Sequence, residues 1–335
     1  MITLRTVLLA SLPFLFDAAE GRTESAMPQS GQAPSTERRL LSATSTVGDI
    51  LRHPAFSGYA DRVLPWDDRP YDETMKLSEI GGLLPYHSAV DTGTVLGGLN
   101  RMIEDVAVGN QVFYDIYTKV DKREDPSKED TGLFFFRGRP GAPFAIVSPG
   151  GGFAYVGSVH EGFPYAVEIN RHGYNVFVLK YRVGQGGRVA TQDLAAAISY
   201  VFRNSNTLDV GTQGYSVWGS SAGARMAAFI GSHGVAAFGG DSLPKPGAVV
   251  MAYTAHSDHS DSEPPTFAIV GSDDGIAPPA SMESRIAALK RLGAPVEYRE
   301  FPSVGHGFGT GAGTSAEGWI TDATQFWSRS RSRSR

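Results

Sequence analysis

The chain has 335 residues, a formal net charge of −5 and no cysteine. The lack of thiols excludes disulfides, thiolate catalysis and cysteine-bound metal, and an acidic chain does not favour nucleic acid as a substrate. The hydrophobic share of 41% is ample for a core. The length allows one large α/β domain or two smaller ones, and one domain is predicted because the candidate catalytic residues of 149–306 interleave with strand and helix signals throughout.

The first predicted element is a signal peptide over residues 1–20. Arg5 precedes an apolar run that is too short to span a bilayer but has the length of a signal-peptide core. This predicts export to the periplasm or the medium without stable membrane insertion. The alternative is an amphipathic N-terminal helix or a disordered start. Residues 21–46, rich in Ser, Thr, Pro, Gln and Glu, are predicted to be a disordered linker.

Residues 47–110 give mixed signals, with aromatic residues among prolines and glycines and one helical stretch near 99–108. This segment is expected either to lie over the mouth of an active site or to pack on the edge of a sheet. Residues 113–117 and 133–136 then predict a hairpin. The charged loop between them, 121–130, is predicted to be a solvated turn.

From Phe144 onward predicted strands and helices alternate, which favours a mostly parallel sheet with helices on both faces. The strands are 144–148, 174–181, 215–218, 248–253, 266–271 and 296–301, and the helices are 162–171, 191–203, 222–229 and 280–292. Residues 47–328 are predicted to form one domain with an N-terminal extension. The Ser-Arg repeat at 329–335 is predicted to be a disordered tail.

The turn after the strand at 215–218 holds the motif Gly219-Ser220-Ser221-Ala222-Gly223. A serine between a strand and a helix in a G-x-S-x-G motif sits on a strained backbone that holds its hydroxyl above the sheet. The glycines flank it because side chains would collide where strand and helix pass so closely. Ser221 is therefore the predicted nucleophile.

A nucleophilic serine needs a base, and the base needs an orienting carboxylate. His306 follows the strand at 296–301, and both Asp273 and Asp274 follow the strand at 266–271. The chain order Ser, Asp, His is that of the α/β-hydrolases rather than of chymotrypsin or subtilisin. Position alone leaves both aspartates open.

Three consecutive glycines, Gly150-Gly151-Gly152, follow the strand at 144–148. They allow backbone N–H groups to point at one spot, as an oxyanion hole requires. A flexible turn is the alternative, and for this motif alone it is the better one. Four such parts in the right order, each at a strand end, favour a catalytic site.

These motifs resemble the bacterial acetyl esterase and xylan-esterase-like branch of the α/β-hydrolases, which is related to feruloyl esterases. The resemblance rests on PGGGF at 149–153, SVHEG at 158–162, GYNVFVLKYRV at 173–183 and GHGFG at 305–309. With the closing run from Ala316-Glu317-Gly318-Trp319 to Phe326-Trp327, it covers residues 113–327. It implies the α/β-hydrolase fold.

The resemblance also implies roles for single residues. It places the nucleophile at Ser221, the base at His306 and the oxyanion donors at the N–H groups of Gly151, Gly152 and Ala222. Related esterases often have a histidine before the glycines, where this chain has a proline that braces the loop differently by fixing φ.

The acid follows from the spacing of the related motif, in which the aspartate stands three residues after a glycine and a small apolar residue ends the motif. Gly271, Asp274 and Ala277 fit that spacing, so Asp274 is the predicted acid. Asp273 remains a competitor. A loop aspartate without a catalytic role would bond its own backbone in the turn.

The function predicted is a serine esterase that needs no cofactor and acts on short acyl esters, acetyl first, of a carbohydrate or another small alcohol. A serine peptidase of the same fold and a non-catalytic binding protein are the alternatives. No nucleic-acid partner is expected, and the oligomeric state is not predicted.

Two polar features of the sequence have no role in this predicted mechanism and are interpreted separately. Residues 256–261, HSDHSD, contain metal-ligand types, but nothing distant completes a set, so a solvated loop is predicted and no metal. His256 could still line a pocket. Glu161 is predicted to cap or brace the helix that follows it rather than to act as an acid.

Overall fold

The structure is a computed structural model that describes residues 39–333. Its strands are β1 Phe113–Tyr114, β2 Gly132–Phe136, β3 Pro143–Ser148, β4 Asn175–Lys180, β5 Gly211–Ser220, β6 Ala248–Ala252, β7 Thr266–Gly271 and β8 Val296–Phe301. Its α-helices are α1 Val47–Leu51, α2 Ala60–Val63, α3 Thr92–Ala107, α4 Lys119–Glu124, α5 Phe163–Arg171, α6 Gly186–Arg203, α7 Ser205–Leu208, α8 Ala222–His233, α9 Pro279–Arg291 and α10 Trp319–Arg333.

The eight strands form one sheet in the order β1-β2-β4-β3-β5-β6-β7-β8. β1 pairs with β2, and β2 with β4, in antiparallel fashion, and every pair from β4 to β8 is parallel. The predicted mostly parallel α/β-hydrolase sheet is confirmed. The predicted hairpin is also present, with its first strand shortened to two residues.

Alternation along each strand divides the core between the two faces of the sheet. In β2, Phe134 and Phe136 join one cluster of buried side chains, whereas Leu133 and Phe135 join the other. The first cluster also includes residues of α3, α5 and α10, and the second includes residues of α6, α8 and α9. Since both faces are covered, the strands are apolar on both sides.

The segment before the sheet is packed and not loosely attached. Val95, Leu99 and Met102 of α3 are fully buried in the first cluster. A side chain at Gly98 would place its Cβ 2.6 Å from the Cβ of Phe163, so α3 lies in close contact with the start of α5. Among the helices of residues 39–333, none combines the length and hydropathy needed to cross a membrane.

Both ends of the described residues depart from the prediction. Leu41, placed in the predicted linker, is buried, and its backbone N–H and carbonyl both bond the side chain of Asn100, at 2.8 and 2.9 Å. The prediction of a disordered tail is wrong for residues 329–333, which continue α10. Arg329, in this extra helical turn, pairs with Glu297 of β8 at 2.7 Å.

The remaining differences are smaller. The loop predicted as a solvated turn contains the short helix α4, which Thr118 caps by accepting the N–H of Asp121. The predicted signal peptide and residues 21–38 of the predicted linker lie outside the described residues.

Candidate active site

The predicted nucleophile occupies a sharp turn between β5 and α8. Ser221 has φ +50° and ψ −115°, a conformation that costs a non-glycine residue on the order of 1–3 kcal/mol. A Cβ on Gly223 would lie 1.8 Å from the carbonyl oxygen of Ser148, and one on Gly219 would lie 2.2 Å from the carbonyl oxygen of Gly223. Only glycine fits at either position, as the sequence motif implied.

The three predicted triad side chains form one hydrogen-bonded chain. His306 Nε2 lies 2.9 Å from Ser221 Oγ, and His306 Nδ1 lies 2.8 Å from Asp274 Oδ2. A carboxylate can only accept, so Nδ1 carries the proton and the serine hydroxyl donates to Nε2. The other carboxylate oxygen, Asp274 Oδ1, accepts the N–H groups of Ile276 and Ala277 at 2.9 and 2.7 Å.

The two candidate acids are clearly separated in space. Asp274 is 4% exposed and faces the imidazole, whereas Asp273 is exposed and accepts a hydrogen bond from the hydroxyl of Ser272. Asp273 therefore has no contact with His306.

The glycine-rich loop after β3 lies beside the serine. Gly151 and Gly152 have φ values of +131° and +64°. Their N–H groups, and that of Ala222 at the start of α8, have no partner among the loop hydrogen bonds of residues 39–333. Gly152 and Ala222 line the cavity that contains Ser221 and His306, but Gly151 does not. Of the three predicted oxyanion donors, Gly152 and Ala222 thus border the cavity in which the carbonyl oxygen of a substrate would lie.

A buried carboxylate behind this loop links several elements. Glu161 is fully buried, and its Oε2 accepts hydrogen bonds from the N–H of Gly150 and the hydroxyl of Ser220, both at 2.5 Å. Its Oε1 accepts the hydroxyl of Tyr253 at 2.6 Å and lies 3.1 Å from His87 Nε2. The expectation that Glu161 supports the following helix is corrected, because it has no bond to the N-terminus of α5.

The charge state of this group follows from its neighbours. Burial alone would raise the pKa of Glu161, but the adjacent His87 and the donated hydrogen bonds outweigh it and hold the pKa well below its usual range. The carboxyl group is therefore ionised at neutral pH. Burial, reinforced by His87, lowers the pKa of the neighbouring His160 to about 4.

The segment Tyr86–Ser88, which precedes the sheet in the chain, forms hydrogen bonds with two of the catalytic loops. His87 Nδ1 lies 2.8 Å from the hydroxyl of Tyr155, on the glycine-rich loop. The hydroxyl of Ser88 donates to the carbonyl of His306 at 2.7 Å, and the N–H of Ser88 donates to the carbonyl of Gly307 at 3.0 Å. Residues 86–88 thus contact the catalytic loops, but none of residues 47–110 lines the cavity at Ser221.

Sequence reasoning missed the role of His87 and Ser88, which lie in no motif. Only the spatial contact with the loop after β8 reveals them. The sequence drew attention to Glu161 but predicted that it supports the following helix, because a carboxylate at the start of a helix is ordinarily explained by the helix dipole.

The cavity above Ser221 has a volume of about 640 Å³ and is formed by the loops that follow β3, β5, β6, β7 and β8. Ligands of open α/β sheets bind at this carboxyl edge of the strands. His256 lines the cavity, with its ring edge-on to Phe229 at 4.7 Å, and Asp258 pairs with His233 at 2.7 Å. Within residues 39–333, no group of three histidine or carboxylate side chains is placed to hold a metal ion.

Two protein families match this chain in succession, and together the two matches contain the three predicted triad residues. The BD-FAE family matches residues 138–245, and the prolyl oligopeptidase family matches residues 242–331. An acetylxylan esterase from Xylanibacter ruminicola is 23% identical over 50% of this chain. The match spans 41% of that relative's own length.

Solved structures give the same fold. An acetyl ester-xyloside bifunctional hydrolase from Caldicellulosiruptor lactoaceticus has a TM-score of 0.57 and 22% identity, over 65% of this chain and 95% of that one. A thermophilic esterase from Thermogutta terrifontis has a TM-score of 0.52 and 19% identity, over 60% and 89%. With a shared sheet, a strand-turn-helix at Ser221 and two hydrolase families matched in succession, the chain has the α/β-hydrolase fold.

Proposed function

We propose that the protein is a serine esterase that hydrolyses short acyl esters, acetyl esters first, through an acyl-enzyme. The hydrogen-bonded chain from Ser221 through His306 to Asp274, at an open cavity, is the observation that carries this proposal. Enzymes named as esterases share the fold, and they make ester hydrolysis the first reaction to test.

The reaction follows from the positions of the three side chains. Ser221 Oγ attacks the ester carbonyl carbon while His306 Nε2 takes the hydroxyl proton, and the same nitrogen then protonates the departing alcohol. Water then attacks the acyl carbon while it gives a proton to His306, and His306 returns this proton to Ser221 Oγ as the acid is released. Asp274 holds the ring in the required tautomer and stabilises the imidazolium.

The negative charge of the tetrahedral intermediate falls on the carbonyl oxygen. The N–H groups of Gly152 and Ala222 are the proposed donors to it, with Gly151 as the third candidate from the sequence. Removal of one such donor typically costs about 2.7–4 kcal/mol of transition-state stabilisation. The positive φ of Gly152 supports this assignment, since it turns the backbone as a side chain would rarely allow.

The preference for small substrates rests on the connection between β6 and β7. Only residues 253–265 join these strands, so no lid domain of the kind used for long acyl chains is inserted there. A carbohydrate alcohol is proposed because the relatives named above include an acetylxylan esterase and an acetyl ester-xyloside hydrolase.

We also propose that the protein is exported, on the strength of its apolar N-terminal run.

A serine peptidase is the second candidate, favoured by the match of residues 242–331 to the prolyl oligopeptidase family. That stretch contains the acid and the base but not the nucleophile. Assay of acetyl, butyryl and feruloyl esters beside a peptide amide decides between the two. Faster turnover of the amide than of every ester would favour the peptidase.

The first test is covalent labelling with a fluorophosphonate, combined with acetyl ester hydrolysis. The Ser221→Ala variant should lose both fluorophosphonate labelling and acetyl ester hydrolysis, because no other nucleophile occupies that position. Its circular dichroism spectrum should match that of the wild type. Ser284→Ala, at an exposed position of α9, is the matched control and should retain both. Labelling of Ser221→Ala at the wild-type rate would contradict the proposed nucleophile, and an unlabelled wild type would favour a binding protein.

A further inference from the structure

Two charged side chains, Arg225 and Asp258, line the cavity at Ser221, and they do not pair with each other. Of the charged side chains that line it, the carboxylate of Asp258 is paired with His233 at 2.7 Å. Burial lowers the pKa of His256, also on the wall, to about 4, so this ring is neutral at pH 7. Within residues 39–333, Arg225 pairs with no carboxylate, and its guanidinium lies 5.5 Å from the centre of the Phe229 ring.

The position of this arginine relates it directly to the reacting bond. Arg225 is the fourth residue after Ser221, and its N–H donates to the carbonyl of Ser221 at 3.3 Å on the first turn of α8. Side chains four apart on a helix start about 5–6 Å from each other. Arg225 therefore lies one helical turn from the nucleophile and lines the same cavity.

We propose that Arg225 binds a carboxylate of the substrate, so that the preferred ester is an acidic one. A guanidinium presents a planar pair of N–H donors that matches a carboxylate in two parallel hydrogen bonds. Asp258, the carboxylate on the same wall, bonds His233 instead of Arg225, which leaves the guanidinium available to a substrate carboxylate. This inference rests on the proposed esterase function and specifies its substrate class.

Two matched pairs of esters test the proposal and locate the carboxylate. Phenyl acetate and 3-carboxyphenyl acetate differ by a carboxylate on the alcohol part, and phenyl butyrate and phenyl hydrogen succinate differ by one on the acyl part. The enzyme-free rate is subtracted for each. The measured quantity is the ratio of kcat/KM for the acidic ester to that for its neutral partner.

In Arg225→Met, this ratio should fall by about tenfold for at least one pair, the loss expected for a charged hydrogen bond partly screened by water. Raising the salt concentration should lower the ratio in the wild type and much less in the variant. Arg291→Met, at an exposed position at the end of α9, is the matched control and should keep both ratios.

The pair that responds assigns the carboxylate to the alcohol or to the acyl part. Unchanged ratios in Arg225→Met, or an equal loss for the acidic and neutral members of both pairs, would overturn the proposal. Neither result touches the esterase assignment, which fails only if the wild type hydrolyses none of the four esters.

Discussion

At the scale of single residues, Asp274 is held so that only one of its oxygens is free for the imidazole. Oδ1 already accepts the N–H groups of Ile276 and Ala277, so an asparagine at 274 would keep its oxygen there and turn its NH₂ group towards His306 Nδ1. The ring would then have to carry its proton on Nε2, which could no longer accept the serine proton.

Asp274→Asn should therefore lower kcat by up to about 10⁴ in a folded protein, as the loss of the correct tautomer does in serine proteases. Asp273→Asn is the matched control, since its side chain is exposed and bonds only the hydroxyl of Ser272. Acetyl ester kinetics of both variants check this. Near-normal kcat in Asp274→Asn would contradict its place in the triad.

At the scale of elements, four chain segments meet at one carboxylate. Glu161, just before α5, joins the loop after β3 through Gly150, the end of β5 through Ser220, the loop after β6 through Tyr253 and the N-terminal segment through His87. The bond to Gly150 fixes the peptide next to Gly151 and Gly152, the glycines proposed as oxyanion donors.

Glu161→Gln keeps the shape of this side chain but removes its charge and one acceptor. We expect kcat to fall about tenfold, the size of one lost charged hydrogen bond, with KM within about twofold, because the loop with the proposed oxyanion donors shifts while the rest of the cavity wall stays. Glu168→Gln, on the outer side of α5, is the control. Full kcat in a folded Glu161→Gln, or a rise in KM alone, would show that the carboxylate is not a positioning group.

Local patterns account for what the sequence predicted at this scale. Ser221 lies in a strand-turn-helix whose flanking glycines are required by backbone contacts. The sequence motif is therefore a direct sign of this local structure. His87 and Ser88 act through contacts with residues far along the chain, and no periodicity records such contacts. The helical end of α10 was missed for the same reason, because Arg329 finds its partner on β8.

At the scale of the whole molecule, two buried histidines make stability depend on pH. Burial is the first cause that lowers the pKa of both His160 and His256 to about 4, against an ordinary value of 6.5. The unfolded chain therefore binds protons between pH 6.5 and 4 that the folded chain does not. The free energy of unfolding must fall as the pH drops through this window.

Between pH 7.5 and pH 5, we expect a loss of about 2 kcal/mol per histidine, measured by urea unfolding. Glu161, with its lowered pKa, adds a further loss only below the ordinary range of a glutamate. His256→Phe should remove about half of the loss above pH 5. Equal unfolding free energies of the wild type at the two pH values would contradict this account.

The Tyr86–Ser88 segment also limits how this enzyme could be recombined with others. The two family matches begin at residue 138 and end at residue 331, so they contain nucleophile, acid and base but neither His87 nor Ser88. A chimaera that joins a foreign N-terminal half to this sheet would inherit all three triad residues. It would still lack the two hydrogen bonds on the carbonyls of His306 and Gly307 and the imidazole beside Glu161. Crossover sites for shuffling this chain therefore belong before residue 86, whatever the boundaries of the matched families suggest.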